Sequence, residues 1–185
     1  AATGEPDGSP MRAAPPITDL IAGLYCAFGI VNAIRARELT GKGQRVEAAM
    51  VNGMVSMLAF LATEYLSTGT PPPRTGNDHT IVSPYGLFHT STGDIAVAPA
   101  TTEIMQKFAT AIGVPDLVMR EPFKTAEQRR EHRAEINGIV NEAMSMRSQD
   151  EWIDTLNAAG VPAGKVLTVP EVFEDPQIKA QEMLI

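Results

Sequence analysis

Two stretches near the start of the chain would be apolar on almost every side if they were helical. The first predicted helix opens at Thr18 or Asp19, either of which could cap it with a side-chain oxygen, and runs to about Leu39. The second is predicted from about Ala49 to Ser67. Helices without a polar face are normally buried, and 185 residues offer little room to bury two of them. We therefore expect a covering surface from further chain, from a second subunit, or from both.

Alternating and amphipathic patterns take over in the second half of the chain. Residues 68–84 are rich in proline and glycine and predict a linker. Beyond it the pattern predicts, in order, two strands, three helices, a strand-like segment and a short helix: Tyr85–Thr90, Asp94–Ala98, Thr101–Ile112, Thr125–Arg147, Ser148–Ala159, Val161–Val169 and Pro170–Glu174. Two of these helices open with capping boxes, Thr125-x-x-Gln128 and Ser148-x-x-Glu151. We predict two domains, over residues 1–68 and 69–185.

The long helix that begins at Thr125 carries a dense band of charge around His132. Bands of this kind usually form a solvated face, and that is the prediction for Glu127, Arg129, Arg130, Glu131, Arg133 and Glu135. Trp152 follows the second capping box, and we expect it to anchor its helix to the sheet.

Composition narrows the function classes. The net charge is −7, whereas a nucleic-acid-binding protein usually carries a basic field. The single Cys26 excludes an intrachain disulfide and fits a reducing compartment, so we expect a cytoplasmic protein. Three histidines without HxxxH spacing make a zinc site improbable. The apolar run from Leu20 to Ile34 falls short of the roughly 20 residues of a spanning helix, so no membrane partner is expected.

Candidate chemistry is sparse when the residues alone are considered. Asp19 lies at the start of an apolar helix, where the helix dipole favours a negative charge. A simple helix cap is the ordinary interpretation, and a carboxylate nucleophile or proton-transfer base is the alternative. His79 and His89 are interpreted as surface or packing residues rather than catalysts.

A series of motifs resembles the class III CoA-transferases, the CaiB/BaiF family. Each motif is weak alone, but their order and spacing are specific and cover essentially the whole chain: Asp19-Leu-Ile-Ala-Gly23, Thr40-Gly41-Lys42-Gly43-Gln44-Arg45-Val46, Pro73-Arg74-x-Gly76-Asn77, Ser83-Pro84-Tyr85-Gly86, Thr92-Gly93-Asp94, Gly160-Val161-Pro162-Ala163-Gly164, Asp175-Pro176-Gln177 and Met183-Leu184.

The resemblance implies an α/β fold and an interlocked homodimer. Members have a Rossmann-like large domain built from both ends of the polypeptide and a smaller α/β domain between them. This chain resembles the central part, with long buried helices of the large domain followed by the small domain. It starts at Ala1 without an initiator methionine, and we expect it to be a piece of a longer protein that also supplies most CoA contacts.

The resemblance also implies a site and a reaction. Asp19 matches the aspartate that attacks an acyl-CoA thioester and then carries CoA as an aspartyl thioester to an acceptor acid. Coenzyme A enters as the substrate thioester, and no other cofactor and no metal is implied. We expect the loop with Asn77, Asp78, His79 and Tyr85 to face the acyl group. This loop lacks the glycine run of formyl-CoA transferases, which disfavours a formyl-CoA/oxalate enzyme but not transfer between larger acids.

Two alternatives remain open. In the 2-methylacyl-CoA racemase branch of the same fold, the aspartate exchanges an α-proton together with a histidine from the part of the protein that this chain lacks. A non-catalytic interaction module, with Asp19 as a helix cap, is the other alternative. We expect the fragment alone to be inactive, because half of the site is missing.

Overall fold

A computed structural model describes residues 2–183, so that Leu184 of the closing motif lies outside the described residues. The chain divides after Gly76 into two compact units. This division falls within the linker predicted for residues 68–84, beyond the predicted boundary at residue 68. The assignment of the units to domains of a larger fold stays a prediction.

The first unit contains one long helix and two short ones. Helix α1 spans Ile17–Thr40, α2 spans Met50–Ser56 and α3 spans Phe60–Thr68. Pro16 occupies the position before α1, where no side-chain capping bond forms. The prediction that Thr18 or Asp19 caps the helix is therefore wrong, because both already lie within its first turn. The predicted stop is confirmed: Gly41 has a left-handed φ of 73° and donates its N–H to the Arg37 carbonyl.

The second predicted helix is interrupted. Residues 57–59 form a turn between α2 and α3, and Ala59 takes a φ of 46° that alanine rarely adopts. The turn contains neither proline nor glycine, so no sequence signal marks it. Helix α2 packs on α1 where Gly53 is buried, since a Cβ at this glycine would lie 3.0 Å from Cγ2 of Ile21. The small residue therefore allows the two helices to approach closely.

Helix α1 leaves its apolar surface uncovered. None of its residues is buried, and Phe28 is 71% exposed. Among residues 2–183, this 24-residue helix is the one long and apolar enough to cross a membrane, so the sequence argument from length does not hold. A core helix of a soluble protein passes the same test. The exposure agrees with the expectation that a covering surface is needed.

The second unit is a small α/β structure. Its antiparallel sheet has the order β1-β2-β3, with β1 at Gly86–Thr90, β2 at Gly93–Val97 and β3 at Ala163–Lys165. The first two strands confirm the predicted hairpin, with Phe88 opposite Ile95, whereas β3 is much shorter than the predicted strand-like segment. The helices are α4 (Thr102–Ala111), α5 (Ala126–Glu131), α6 (Arg133–Met144), α7 (Gln149–Ala158), α8 (Val169–Glu174) and α9 (Pro176–Ala180).

Both predicted capping boxes form. The Thr125 side chain accepts the N–H of Gln128, and the Ser148 side chain accepts the N–H of Glu151. The long charged helix is, however, two helices that meet at His132.

Trp152 anchors α7 to the end of α6. Its Nε1 donates to the Met144 carbonyl at 2.6 Å, and the guanidinium of Arg147 lies 4.8 Å from the ring centroid. The hydrogen bond is made to a neighbouring helix, while the ring shares its buried core with residues of the sheet, so the expected anchoring to the sheet is complemented by a bond to α6. The tryptophan is 2% exposed and belongs to the core that also contains Phe88, Ile95, Phe108 and Ile136.

Candidate active site

Asp19 lies in the exposed first turn of α1. Its side chain faces solvent, and among the described residues no group is hydrogen-bonded to its carboxylate. The helix N-terminus has unpaired N–H groups and the positive end of the helix dipole, both of which favour negative charge. The carboxylate is thus open to an incoming group and makes no structural bond to the part of the chain that the structure describes.

The segment that leads into α1 is tied to the linker within the same unit. The Nε of Arg74 donates to the Glu5 carbonyl at 3.1 Å, and its Nη2 donates to the Gly8 carbonyl at 2.6 Å. The N–H of Gly76 donates to the carbonyl of Gly4, which is buried and has a φ of 134°. Only glycine fits at position 4, because a Cβ there would lie 2.7 Å from the Ser9 carbonyl oxygen. These bonds restrain the start of the chain.

The second unit contains all four predicted substrate-binding residues in the loop 77–85. The His79 N–H donates to the Tyr85 carbonyl at 2.9 Å and closes the loop. The imidazole and phenol rings lie 4.8 Å apart between centroids, with an interplanar angle of 34°. Asp78 and His79 are half-buried, as is Tyr85, and Asn77 is exposed. Asp19 belongs to the other unit.

Helix α6 anchors this loop through residues that sequence reasoning missed. The guanidinium of Arg133 donates to the His79 carbonyl at 2.5 Å and to the Thr80 carbonyl at 3.0 Å. The Nδ2 of Asn137 lies 3.2 and 3.1 Å from the two carboxylate oxygens of Asp78. Arg133 Nη1 also lies 3.9 Å from Asp78 Oδ2. Two neighbouring turns of one helix therefore hold both the backbone and a side chain of the loop.

The prediction of a solvated charged face is wrong for Arg129 and Arg133. Arg129 is 7% exposed, and its guanidinium donates to the carbonyls of Ser83, Phe123 and Lys124. Burial alone lowers the pKa of Arg129, and burial also lowers that of Arg133. Both side chains turn inward because backbone carbonyls outside their own helices supply the acceptors that water would otherwise supply.

An apolar groove of about 400 Å³ lies beside the loop on the three-stranded sheet. Asn77 and Tyr85 line it, together with Gly86 and apolar or small residues of the strands and their flanks: Leu87, Ala96, Val97, Ala98, Pro162, Ala163 and Gly164. Position 86 accepts only glycine, since a Cβ would lie 2.6 Å from Oδ1 of Asp78 and 2.7 Å from the Asn77 carbonyl oxygen. The groove can accommodate a small apolar group.

His79 is held as a neutral imidazole. Its Nδ1 accepts the N–H groups of Ile81 and Val82, both at 3.1 Å, so the ring proton lies on Nε2. Desolvation by burial, and then the charge of Arg133, lower the pKa of His79 below its ordinary value of 6.5.

We expect a ¹⁵N-histidine NMR titration to give His79 a midpoint below 6.5 and the Nε2–H tautomer at pH 7. Because the folded-state pKa is depressed, the stability that the neutral ring contributes is present above pH 6.5 and is lost as the pH falls through the lowered pKa. A midpoint at or above 6.5, or a proton on Nδ1, would contradict this description of the loop.

The remaining histidines lie away from this cluster. His89 Nδ1 pairs with Asp94 Oδ1 at 2.5 Å on the exposed side of the hairpin, and His132 Nδ1 lies 3.3 Å from Glu135 Oε2. Over the described part of the chain, no three His, Cys, Asp or Glu side chains are grouped as metal ligands would be.

The described residues form a mixed, helix-rich α/β structure with a candidate carboxylate nucleophile at the start of its longest helix. Comparison with known families identifies this class: the chain belongs to CoA-transferase family III, whose family model matches residues 1–185. The resemblance found in the sequence motifs is thereby confirmed, and so is the assignment to a partial class III fold.

Individual relatives agree with the family. The chain is 31% identical to the acetyl-CoA:oxalate CoA-transferase of Acetobacter aceti, over 100% of this chain and 48% of that protein. It is 32% identical to the succinyl-CoA:mesaconate CoA-transferase of Haloarcula marismortui, over 98% of this chain and 45% of that protein. The crystal structure of a CaiB/BaiF family protein from Brucella suis matches with 35% identity and a TM-score of 0.76, covering 98% of this chain and 48% of that one. The chain thus spans about half the length of these relatives.

Proposed function

We propose that the complete protein is a CoA-transferase that moves CoA from an acyl-CoA thioester to a carboxylic acid, with Asp19 as the nucleophile. The single observation that carries the proposal is the position of Asp19 at the start of the helix in a family III sequence, where its exposed carboxylate has no hydrogen-bond partner among residues 2–183. The names of relatives such as the acetyl-CoA:oxalate and succinyl-CoA:mesaconate CoA-transferases support the reaction class.

The reaction balances without an added cofactor. An oxygen of Asp19 attacks the thioester carbonyl and the C–S bond breaks, so that CoA leaves as a thiolate and Asp19 becomes part of a mixed anhydride with the acyl group. The thiolate then attacks the Asp19 carbonyl, releases the donor acid as a carboxylate and forms an aspartyl thioester. The acceptor carboxylate then attacks the aspartyl thioester, which releases the CoA thiolate and forms a second mixed anhydride. The thiolate attacks the acceptor's carbonyl in this anhydride, which gives the new CoA thioester and restores the Asp19 carboxylate. The N–H groups of the first turn of α1 can stabilise the oxyanion that forms at the aspartyl carbonyl.

The proposal extends to substrate, assembly and location. Asn77, Asp78, His79 and Tyr85 face or frame the acyl group, which is larger than formyl because the loop lacks a glycine run. The protein acts as a cytoplasmic homodimer without membrane or nucleic-acid partners, and the second subunit together with the rest of the polypeptide covers the exposed face of α1. The fragment alone is inactive.

Acceptor dependence separates this proposal from the racemase alternative. The complete protein is incubated in D₂O with acetyl-CoA, succinyl-CoA or 2-methylacyl-CoA, each with and without a dicarboxylic acceptor. We expect a new CoA thioester only when the acceptor is present, and no deuterium at the α-carbon. Deuterium uptake without an acceptor would show a racemase instead of a transferase. If neither a new thioester nor deuterium uptake were seen, the result would favour an interaction module.

A further inference from the structure

We infer that Arg133 and Asn137 are positioning residues that set the selectivity for the acyl group, because they fix the loop 77–85 beside the apolar groove. This inference rests on the proposed function, which makes that loop part of the acyl site. It concerns residues on α6, none of which lines the groove.

The first step is the anchoring of the loop backbone. Arg133 donates to two consecutive carbonyls, those of His79 and Thr80, and its side chain is only 18% exposed. A guanidinium with two donors in a fixed fork determines the direction of both carbonyls, whereas a lysine ammonium supplies a point charge. The plane of the backbone at this point is therefore set by α6.

The second step is the anchoring of Asp78. The two carboxylate oxygens of Asp78 both accept from Asn137 Nδ2. Oδ1 of Asp78 also fills the space that a side chain at Gly86 would need. The amide oxygen of Asn137, Oδ1, is buried without a hydrogen-bond partner in the described part of the chain. A buried oxygen without a hydrogen-bond partner is destabilising, so the asparagine is a poor choice for stability alone. The contact with Asp78 accounts for a polar residue at this position.

The third step connects these anchors to the groove. Arg133 holds the carbonyl of His79. The ring of His79 packs against Tyr85 in a tilted arrangement, and its N–H closes the loop on the Tyr85 carbonyl. Tyr85 and Asn77 line the groove, and Asn77 precedes the anchored Asp78. A displacement of the loop would therefore move the polar wall of the groove. Misplacement of a binding group by about 1 Å can cost a hundredfold in rate, and the loss depends on how closely a substrate contacts that group.

The test compares Arg133→Lys with the matched control Arg130→Lys, an exposed arginine on the preceding helix. In the complete protein, kcat/KM is measured with acetyl-CoA and with succinyl-CoA against one acceptor. We expect Arg133→Lys to change the ratio of the two kcat/KM values by about tenfold, while Arg130→Lys keeps it within about twofold. Hydrogen exchange of the peptide that contains residues 77–85 should be faster in Arg133→Lys only.

Asn137→Leu is the second variant and tests the same inference through Asp78. It should shift the ratio as well, because it removes the bond to the carboxylate while keeping a side chain of similar volume. An equal loss for both donors with a lower melting temperature would indicate a merely structural role and overturn the inference. Wild-type protein that transfers neither donor would overturn the proposed function instead, and the selectivity role with it.

Discussion

Replacing Asp19 with asparagine should abolish acyl transfer while leaving the fold intact. The amide is a far weaker nucleophile than the carboxylate, and loss of a covalent nucleophile typically costs at least about 10³-fold in kcat. Stability should change by less than about 0.5 kcal/mol, because the side chain is exposed and makes no hydrogen bond among the described residues. The direct measurement is trapping. The complete protein is incubated with an acyl-CoA and quenched with hydroxylamine, and peptide mass spectrometry should then show a hydroxamate on Asp19 of the wild type.

Glu38→Gln is the matched control, because it removes another exposed carboxylate from the same helix. It should retain full activity and the hydroxamate at Asp19. A fully active Asp19→Asn protein would exclude a nucleophilic role for Asp19. If Asp19→Asn were inactive but the wild-type protein never formed a hydroxamate, the results would instead favour proton transfer by the aspartate.

Local structure could be predicted from the sequence because its signals are local. The capping boxes at Thr125 and Ser148, the left-handed stop at Gly41 and the hairpin around Gly93 each depend on a few neighbouring residues, and all four form. The uncovered surface of α1 likewise follows from a sequence that is apolar on nearly every face. The break at Ala59 has no such signal and was missed.

The candidate site was predictable only in part. The role of Asp19 came from the family resemblance, since the residues alone suggested a simple helix cap, which the structure does not form. The residues that anchor the loop 77–85 were missed because their partners are distant in the chain. Arg129, Arg133 and Asn137 reach acceptors 46, 54 and 59 residues away. A charge pattern along one helix does not reveal whether an arginine faces water or the carbonyls of another segment.

Replacing Arg129 with methionine should destabilise the second unit by about 3 kcal/mol. The guanidinium donates to three carbonyls, those of Ser83, Phe123 and Lys124, and methionine keeps much of the buried volume while removing every donor. Hydrogen bonds from a charged group contribute about 1.5–3 kcal/mol each, offset in part by the cost of burying the charge. Urea unfolding followed by the fluorescence of Trp152, the single tryptophan of this chain, reports on the same unit.

The neighbouring Arg130 provides the control for this prediction, because it is exposed on the same helix. Arg130→Met should change the free energy of unfolding by no more than about 0.5 kcal/mol. If the free energy of unfolding fell by the same small amount in both variants, Arg129 would face solvent, as its charged neighbours in the sequence had indicated. A large loss confined to Arg129→Met would instead show that the end of the loop, at Ser83, is held to α5 by the buried guanidinium.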